Sequence, residues 1–402
     1  MQTALADFIR DTNAGQEAER ILRTCVHCGF CNATCPTYQL LGDELDGPRG
    51  RIYLIKQMLE GNAATLHTLT HLDRCLTCRN CESTCPSGVR YSALLEIGRE
   101  QAQQRIGRPW HERALRWLIR NILPYPERFT PLLRIGQLFR PLLPQELKRK
   151  IPEQRRAGAW PTTRQARHML VLEGCVQPAI APTINAAAAQ VFDRLGITLQ
   201  RAEGAGCCGA ACHHTSGVEQ GLKQARRNID AWWPHIEQGA EAIVMTASGC
   251  GVHVKDYGHL LQDDPQYADK ARRVAALTRD LSEIVASADL ARLKTAVKPG
   301  RKIAFQSPCT LQHGQKLAGV VEKILRDLGF HLTTVPDAHL CCGSAGTYSI
   351  LQPSLSQRLR ARKLAALQSD SPELIVTANI GCLAHLAAGT AVPVRHWIEL
   401  LV

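Results

Sequence analysis

Four cysteines spaced x2, x2, x3 and closed by a proline occur twice in this chain, 50 residues apart. The runs are Cys25-Val-His-Cys28-Gly-Phe-Cys31-Asn-Ala-Thr-Cys35-Pro36 and Cys75-Leu-Thr-Cys78-Arg-Asn-Cys81-Glu-Ser-Thr-Cys85-Pro86. The first three thiols of a run share one tight loop, and the fourth is displaced onto the next turn. A [4Fe–4S] cubane needs four thiolates at tetrahedral corners, and such a loop supplies three without strain. Where two such runs occur, the fourth cysteine of each ligates the other cluster. The expected sets are therefore Cys25, Cys28, Cys31 and Cys85 for one cluster, and Cys75, Cys78, Cys81 and Cys35 for the other. Structural zinc is a poorer reading, because zinc sites are usually built from separated cysteine pairs needing four ligands only.

Seventeen cysteines in 402 residues is a high count. Residues 1–24 carry Asp7, Asp11, Glu17 and Glu19 and lack the apolar run of a secretory leader. No apolar stretch reaches the length of a membrane span. The expected compartment is the reducing cytoplasm, where clustered cysteines read as metal ligands rather than disulfides. The net charge of +12 is uneven: residues 99–156 hold 14 Lys/Arg against 5 Asp/Glu. That bias suits an acidic partner or anionic lipid. No nucleic-acid-binding motif accompanies it, so no nucleic-acid partner is expected.

Along the chain, residues 4–23 read as a helix leading into the first run. Pro48 suits the first turn of a helix ending near Glu60, and residues 63–74 read as another. Arg49 and Arg51, at the start of the Pro48 helix, have two readings of equal weight. They are either a solvated helix start or cations that stabilise negative charge on a reduced cluster. Residues 1–104 thus form an all-α module of ferredoxin type. Residues 105–165 are a basic, proline-broken helical connector in which Trp110, Trp117, Leu132, Ile135, Leu138 and Phe139 interleave with arginines. It reads as packing against the core or as docking on a membrane or partner, with Arg113, Arg116 and Arg120 as candidate contacts.

From residue 166 strands and helices alternate. Strands are expected at His168–Glu173, Ile197–Ala202, Ala242–Thr246, Lys302–Gln306, Phe330–Val335 and Leu374–Thr377. Cys175 and Cys207 are 32 residues apart, as are Cys309 and Cys341, and Cys-Cys-Gly recurs at 207–209 and 341–343. Arg279-Asp-Leu-Ser-Glu283 matches Arg395-His-Trp-Ile-Glu399. This is an internal duplication, giving one α/β domain over 166–290 and another over 300–402. Every repeated cysteine lies just past the C-terminal end of a strand or at a helix start, and on an open α/β sheet that edge is where sites assemble. Cys175, Cys207, Cys208 and Cys250 should converge, as should Cys309, Cys341, Cys342 and Cys382. The expected shape is one pseudo-twofold site with both vicinal pairs near its centre. Cys212 reads as a buried packing residue. Gly204-Ala-Gly206-Cys-Cys-Gly209 spells a dinucleotide fingerprint, but the second repeat keeps the thiols and loses the glycines, so neither NAD nor flavin is expected here.

Two such runs followed by two Cys…Cys-Cys-Gly…Cys repeats resemble the CCG-domain, heterodisulfide-reductase-like electron-transfer superfamily. It includes the iron–sulfur subunits of glycolate oxidase, anaerobic glycerol-3-phosphate dehydrogenase and lactate utilisation, and the catalytic subunit of heterodisulfide reductase. Cys25 to Cys31, with Pro36-Thr-Tyr-Gln-Leu-Leu-Gly-Asp43-Glu-Leu-Asp46-Gly-Pro-Arg-Gly-Arg51, looks most like the glycolate oxidase (glycolate dehydrogenase) iron–sulfur subunits. The resemblance implies an α+β multidomain fold: a helical ferredoxin module, then two α/β CCG domains. It implies an oxidoreductase complex in which FAD-containing subunits oxidise glycolate to glyoxylate. This chain would carry the electrons on two [4Fe–4S] clusters toward membrane quinone, as a peripheral protein on the cytoplasmic face of the inner membrane. Glycerol-3-phosphate or lactate systems are the alternatives within the class. A heterodisulfide-type reductase using thiols or additional clusters in the CCG domains is the alternative outside it. One departure stands out: the repeats end Cys250-Gly-Val-His253 and Cys382-Leu-Ala-His385 where the heterodisulfide reductase pattern has C-x-x-C. His253 and His385 are thus candidates for iron ligation or proton transfer, beside a redox role for Cys207, Cys208, Cys341 and Cys342.

Overall fold

The structure, a computed structural model, describes residues 1–149, 151–297 and 299–402. Two compact units make up the chain. The first comprises Met1–Arg116 and His339–Leu359, and the second Trp117–Ala338 and Arg360–Val402. The duplication counts residues 339–359 in the second repeat, yet they pack with the N-terminal module.

The first unit is helical. Helices α1 (Asn13–Thr24), α2 (Pro48–Leu59), α3 (Leu66–Asp73) and α4 (Tyr91–Ile106) enclose its core. The helix expected over 4–23 is broken. A single turn, Asp7–Arg10, ends, and Thr12 starts α1 as an N-cap, its hydroxyl accepting from Gly15 N–H at 3.0 Å. Leu22, Ile55, Leu59, Leu72, Leu94 and Leu95 are fully buried; burial of each such side chain is worth about 1.5–3 kcal/mol. Gly98 lets α4 close on α2, since a Cβ there would lie 2.6 Å from Ile55 Cγ1.

The basic stretch folds into α5 (Trp110–Ile122) and α6 (Pro126–Phe139). Two of its three candidate docking arginines are structural. Arg116 is 6% exposed and pairs with Asp73 at 3.0 Å, alongside Arg108. Arg120 donates to the Thr215 carbonyl at 2.8 Å. Arg113 is exposed, as are Leu132, Ile135, Leu138, Phe139 and Leu142. Among the described residues no helix is long and apolar enough to cross a membrane.

The second unit holds two parallel four-stranded sheets. Strands β1 (Arg167–Leu172), β2 (Ile197–Arg201), β3 (Ile243–Met245) and β4 (Thr278–Asp280) run in the order β2-β1-β3-β4. Strands β5 (Lys302–Gln306), β6 (His331–Leu332), β7 (Leu374–Thr377) and β8 (Val394–His396) repeat it as β6-β5-β7-β8. Long apolar runs such as Met-Leu-Val-Leu suit parallel strands buried on both faces. β4 and β8, which strand patterning does not reveal, are the matched segments before Glu283 and Glu399. Each ends in a capping box, Asp280 with Glu283 and His396 with Glu399. β6 is only two residues long, against the six expected at 330–335. The repeats meet through hydrogen bonds donated by the first to the second. Ser248 N–H donates to Ala378 O at 3.3 Å, Gly249 N–H to Asn379 Oδ1 at 3.2 Å, and Thr183 Oγ1 to Glu399 Oε1 at 2.6 Å.

Candidate metal centres and thiol sites

The two four-cysteine runs adopt one backbone. In each loop the third and fifth residues are left-handed: His27 and Gly29 in the first, Thr77 and Arg79 in the second. Three of these four are not glycine, and Thr77 is β-branched, so the loops hold real strain of about 1–3 kcal/mol per residue. Alternating handedness turns successive amides toward one side, the arrangement that favours an anion. Thr77 N–H donates to Cys75 Sγ at 3.4 Å. The loops are joined where the repeat equates them: Thr84 Oγ1 donates to Thr34 Oγ1 at 3.1 Å, and Asn80 Nδ2 to Thr34 O at 2.8 Å.

Cys25, Cys28, Cys31 and Cys85 line one pocket of the first unit, and Cys35, Cys75, Cys78 and Cys81 line a second. Cys81 also borders the first. The fold thus brings the fourth thiol of each run to the other run's loop. Crowding acts on the thiols. Burial and then neighbouring Cys25 push the Cys31 thiol up to about 11. Burial, then Cys78 and Cys75, drive Cys81 well above its ordinary value. Four thiolates cannot share such a space alone, whereas bound iron removes the protons outright.

The surroundings of the second pocket also fit an anionic iron–sulfur group. Arg51 is 0% exposed and lines the pocket. Its Nε donates to His71 O at 2.7 Å and its Nη2 to Thr37 Oγ1 at 3.2 Å, while Nη1 has no protein partner. Asp46, also fully buried, accepts from Arg74 at 2.9 Å and lies 3.0 Å from His71 Nδ1 and 3.5 Å from Arg51. Tyr91 borders both pockets, and its buried hydroxyl lies beside the Cys75 thiol. Arg49 divides from Arg51: it is partly exposed and its Nε pairs with Glu44 at 2.6 Å. Arg49 therefore suits the solvated reading, and Arg51 the electrostatic one. Tyr91 carried no sequence signal, since only tertiary closure sets it between two cysteine loops.

In the second unit, Cys175, Cys207, Cys208 and Cys250 converge beyond the C-terminal ends of β1, β2 and β3. The thiols interact in sequence, Cys175 with Cys207, Cys207 with Cys208, and Cys208 with Cys250. Contact with Cys207 and then burial drive the Cys175 thiol up. Helix Val218–Glu237 supplies Asn228, which accepts from Gly206 N–H and donates to Cys207 O, both at 2.8 Å. Tyr257 OH donates to Cys208 O at 2.6 Å. The glycine of Cys-Cys-Gly is required by geometry. Gly209 has φ +99° and a Cβ there would lie 2.7 Å from Gly221 O. Its amide then points back at Cys207 Sγ, 3.5 Å away, and Gly343, at φ +90°, does the same for Cys341 at 3.4 Å.

Among the remaining candidates, His253 is 5% exposed, with the His213, His214 and Tyr257 rings 5.5, 5.9 and 5.8 Å away. Neither the His213–His214 pair nor Asn228 and Tyr257 are marked by the cysteine spacing. His385 is half-buried on the helix Ile380–Ala387, which also carries buried Cys382. Cys309 is buried after β5. Cys341 and Cys342, buried as well, fall in the first unit, so the two vicinal pairs belong to different units. Cys212 is fully buried, its sulfur accepting from Gln224 Nε2 at 3.6 Å, as a packing residue.

Comparison with known proteins follows the sequence repeats rather than the two compact units. A cysteine-rich domain family, CCG, matches residues 169–255 and again 303–387, and a 4Fe-4S dicluster domain family matches residues 21–89. The glycolate oxidase iron–sulfur subunit of Escherichia coli K12 is 58% identical over 402 residues, covering 100% of this chain and 98% of that protein. A probable glycolate oxidase iron–sulfur subunit of Bacillus subtilis is 28% identical over 397 residues, covering 92% and 89%. Lactate utilization protein A of Bacillus licheniformis is 27% identical over 236 residues, which is 56% of this chain and 95% of that one.

Proposed function

Because the chain belongs to the family of glycolate oxidase iron–sulfur subunits, we propose that it accepts electrons from a flavoprotein partner that oxidises glycolate and delivers them toward membrane quinone. The observation that carries this reading is the pair of four-thiol pockets, each drawing three cysteines from one run and one from the other. Cys25, Cys28, Cys31 and Cys85 hold one [4Fe–4S] cluster, and Cys35, Cys75, Cys78 and Cys81 the other. Bound there, such clusters supply one-electron exchange. The chain's own residues fix the loops, exclude water and compensate charge. Cys175, Cys207, Cys208 and Cys250 form a further candidate metal or thiol site, with Asn228 and Tyr257 fixing its vicinal pair.

Attachment to the cytoplasmic face of the inner membrane is supported by α6 and the turn after it. Leu132, Ile135, Phe139 and Leu142 recur at three- and four-residue steps along one face, with Arg128 and Arg134 exposed on the same segment. Such a face lies in a lipid interface with its basic side chains at the headgroups.

Anaerobic analysis of the purified chain should return about eight irons and eight sulfides, and more if the site at Cys175–Cys250 is loaded. Cys35→Ser should perturb the EPR signal of the cluster at Cys75, Cys78 and Cys81. A change confined to the cluster at Cys25, Cys28 and Cys31 would refute the crossed ligation.

A further inference from the structure

The two pockets of the first unit share a backbone but not an electrostatic setting. Around Cys25, Cys28, Cys31 and Cys85 the rim is open: Cys28 is exposed, and Val26 and Phe30 are 68% and 61% exposed. Its nearest arginine, Arg49, is partly exposed and neutralised by Glu44. Around Cys35, Cys75, Cys78 and Cys81 a fully buried guanidinium keeps one amino group without a partner. Beside it, the buried Tyr91 hydroxyl faces the Cys75 thiol, with Cys81 of the same set also near. A buried guanidinium nitrogen without an acceptor, and a hydroxyl with only a weak thiol acceptor, carry a desolvation cost in a dry site. The cost is recovered when an acceptor sits between them, and negatively charged sulfur is one.

Resting on the cluster assignment above, we propose that Arg51 and Tyr91 make the Cys35/Cys75/Cys78/Cys81 site the higher in reduction potential, so that one electron shared by the two clusters resides there. Adding an electron adds a negative charge. A buried cation and a hydrogen-bond donor stabilise that charge most where water does not screen it. The exchange balances: the cluster at Cys25, Cys28, Cys31 and Cys85 is oxidised by one electron as its neighbour is reduced by one, and no proton moves.

The higher-potential site also touches the second repeat. Asn80 Nδ2 donates to His339 O at 3.3 Å, and Tyr348 OH donates to Arg74 O at 3.2 Å. Tyr348 is 6% exposed and feels the charges of both Cys75 and Cys341. The resident electron thus sits next to the loop that carries Cys341 and Cys342.

The test is EPR-monitored potentiometry on the intact, cluster-loaded chain, with Cys28→Ser identifying the signal of the open site. Two midpoints are expected, the enclosed site being the higher. Tyr91→Phe deletes only a hydroxyl whose neighbour is the Cys75 thiol, so the fold tolerates it. It should lower the enclosed site's reduced-to-oxidised ratio at fixed potential about tenfold, or ~59 mV for one electron, with little change at the open site. Arg51→Lys should give a smaller fall than Arg51→Gln. Should the Gln variant not fold beside Asp46, Tyr91→Phe decides. Coincident midpoints, the reverse order, or a Tyr91→Phe variant that moves neither site or both equally overturns the proposal. An iron content short of two clusters instead overturns the cluster assignment, so the two failures are distinct.

Discussion

Lowering the pH should weaken the second unit through one residue, His396. This imidazole is 0% exposed, and burial holds its pKa down at about 4, with Glu399 only partly opposing. An unfolded histidine titrates near 6.5. Between those values the unfolded chain binds the extra proton and the folded chain does not, so stability falls as pH drops. A gap of about 2.5 pH units at ~1.36 kcal/mol each gives about 3 kcal/mol in full, of which about 2 kcal/mol is lost between pH 7.5 and pH 5. His396→Asn is the informative comparison, because asparagine keeps a side-chain acceptor at the N-cap and cannot titrate. Anaerobic urea unfolding, followed by fluorescence of the buried Trp232 and Trp397, would give stability against pH for both proteins. The wild type should lose about 2 kcal/mol more than the variant over that interval. Parallel pH profiles would refute the reasoning, since every other titrating group is common to both.

Asp73→Asn should destabilise the first unit by about 3–5 kcal/mol in urea unfolding, because it leaves Arg108 and Arg116, 4% and 7% exposed, without their shared anion. Leu138→Ser with Phe139→Ser should abolish flotation with anionic vesicles at unchanged iron content, and retained flotation would exclude α6 as the anchor. Cys341→Ala with Cys342→Ala should stop electron delivery from the flavoprotein to quinone while leaving both cubane EPR signals. Full quinone reduction by that variant would remove the second vicinal pair from the electron path.

How much of this was legible in the sequence follows from what each residue does. Ligand thiols must be cysteine at fixed spacing, so both cysteine runs and both Cys-Cys-Gly repeats read directly. β5 and β7 fall where expected because their apolar runs are buried on both faces. β4, Thr-Arg-Asp, and β8, Val-Arg-His, are three-residue edge strands, too short and polar to register as strands. Arg116 and Arg120 look like surface charge in a basic stretch, and only the fold supplies Asp73 and the Thr215 carbonyl to receive them. Tyr91 and Tyr348 are ordinary aromatic residues until tertiary packing sets them beside Cys75. The departure of residues 339–359 from their own repeat has no local signature, because it depends on which surface the loop finds after folding.

That departure governs the order of assembly during synthesis. Residues 1–116 leave the ribosome first, but their compact unit is completed only when His339–Leu359 arrive. At about 5–20 residues per second, the intervening 222 residues impose a wait of roughly 10–45 s. Through that interval the loop at Cys75 lacks the Tyr348 hydroxyl that later bonds the Arg74 carbonyl beside it. The segment that later bonds Asn80 and Arg74 arrives from the same chain, at a moment set by the rate of translation.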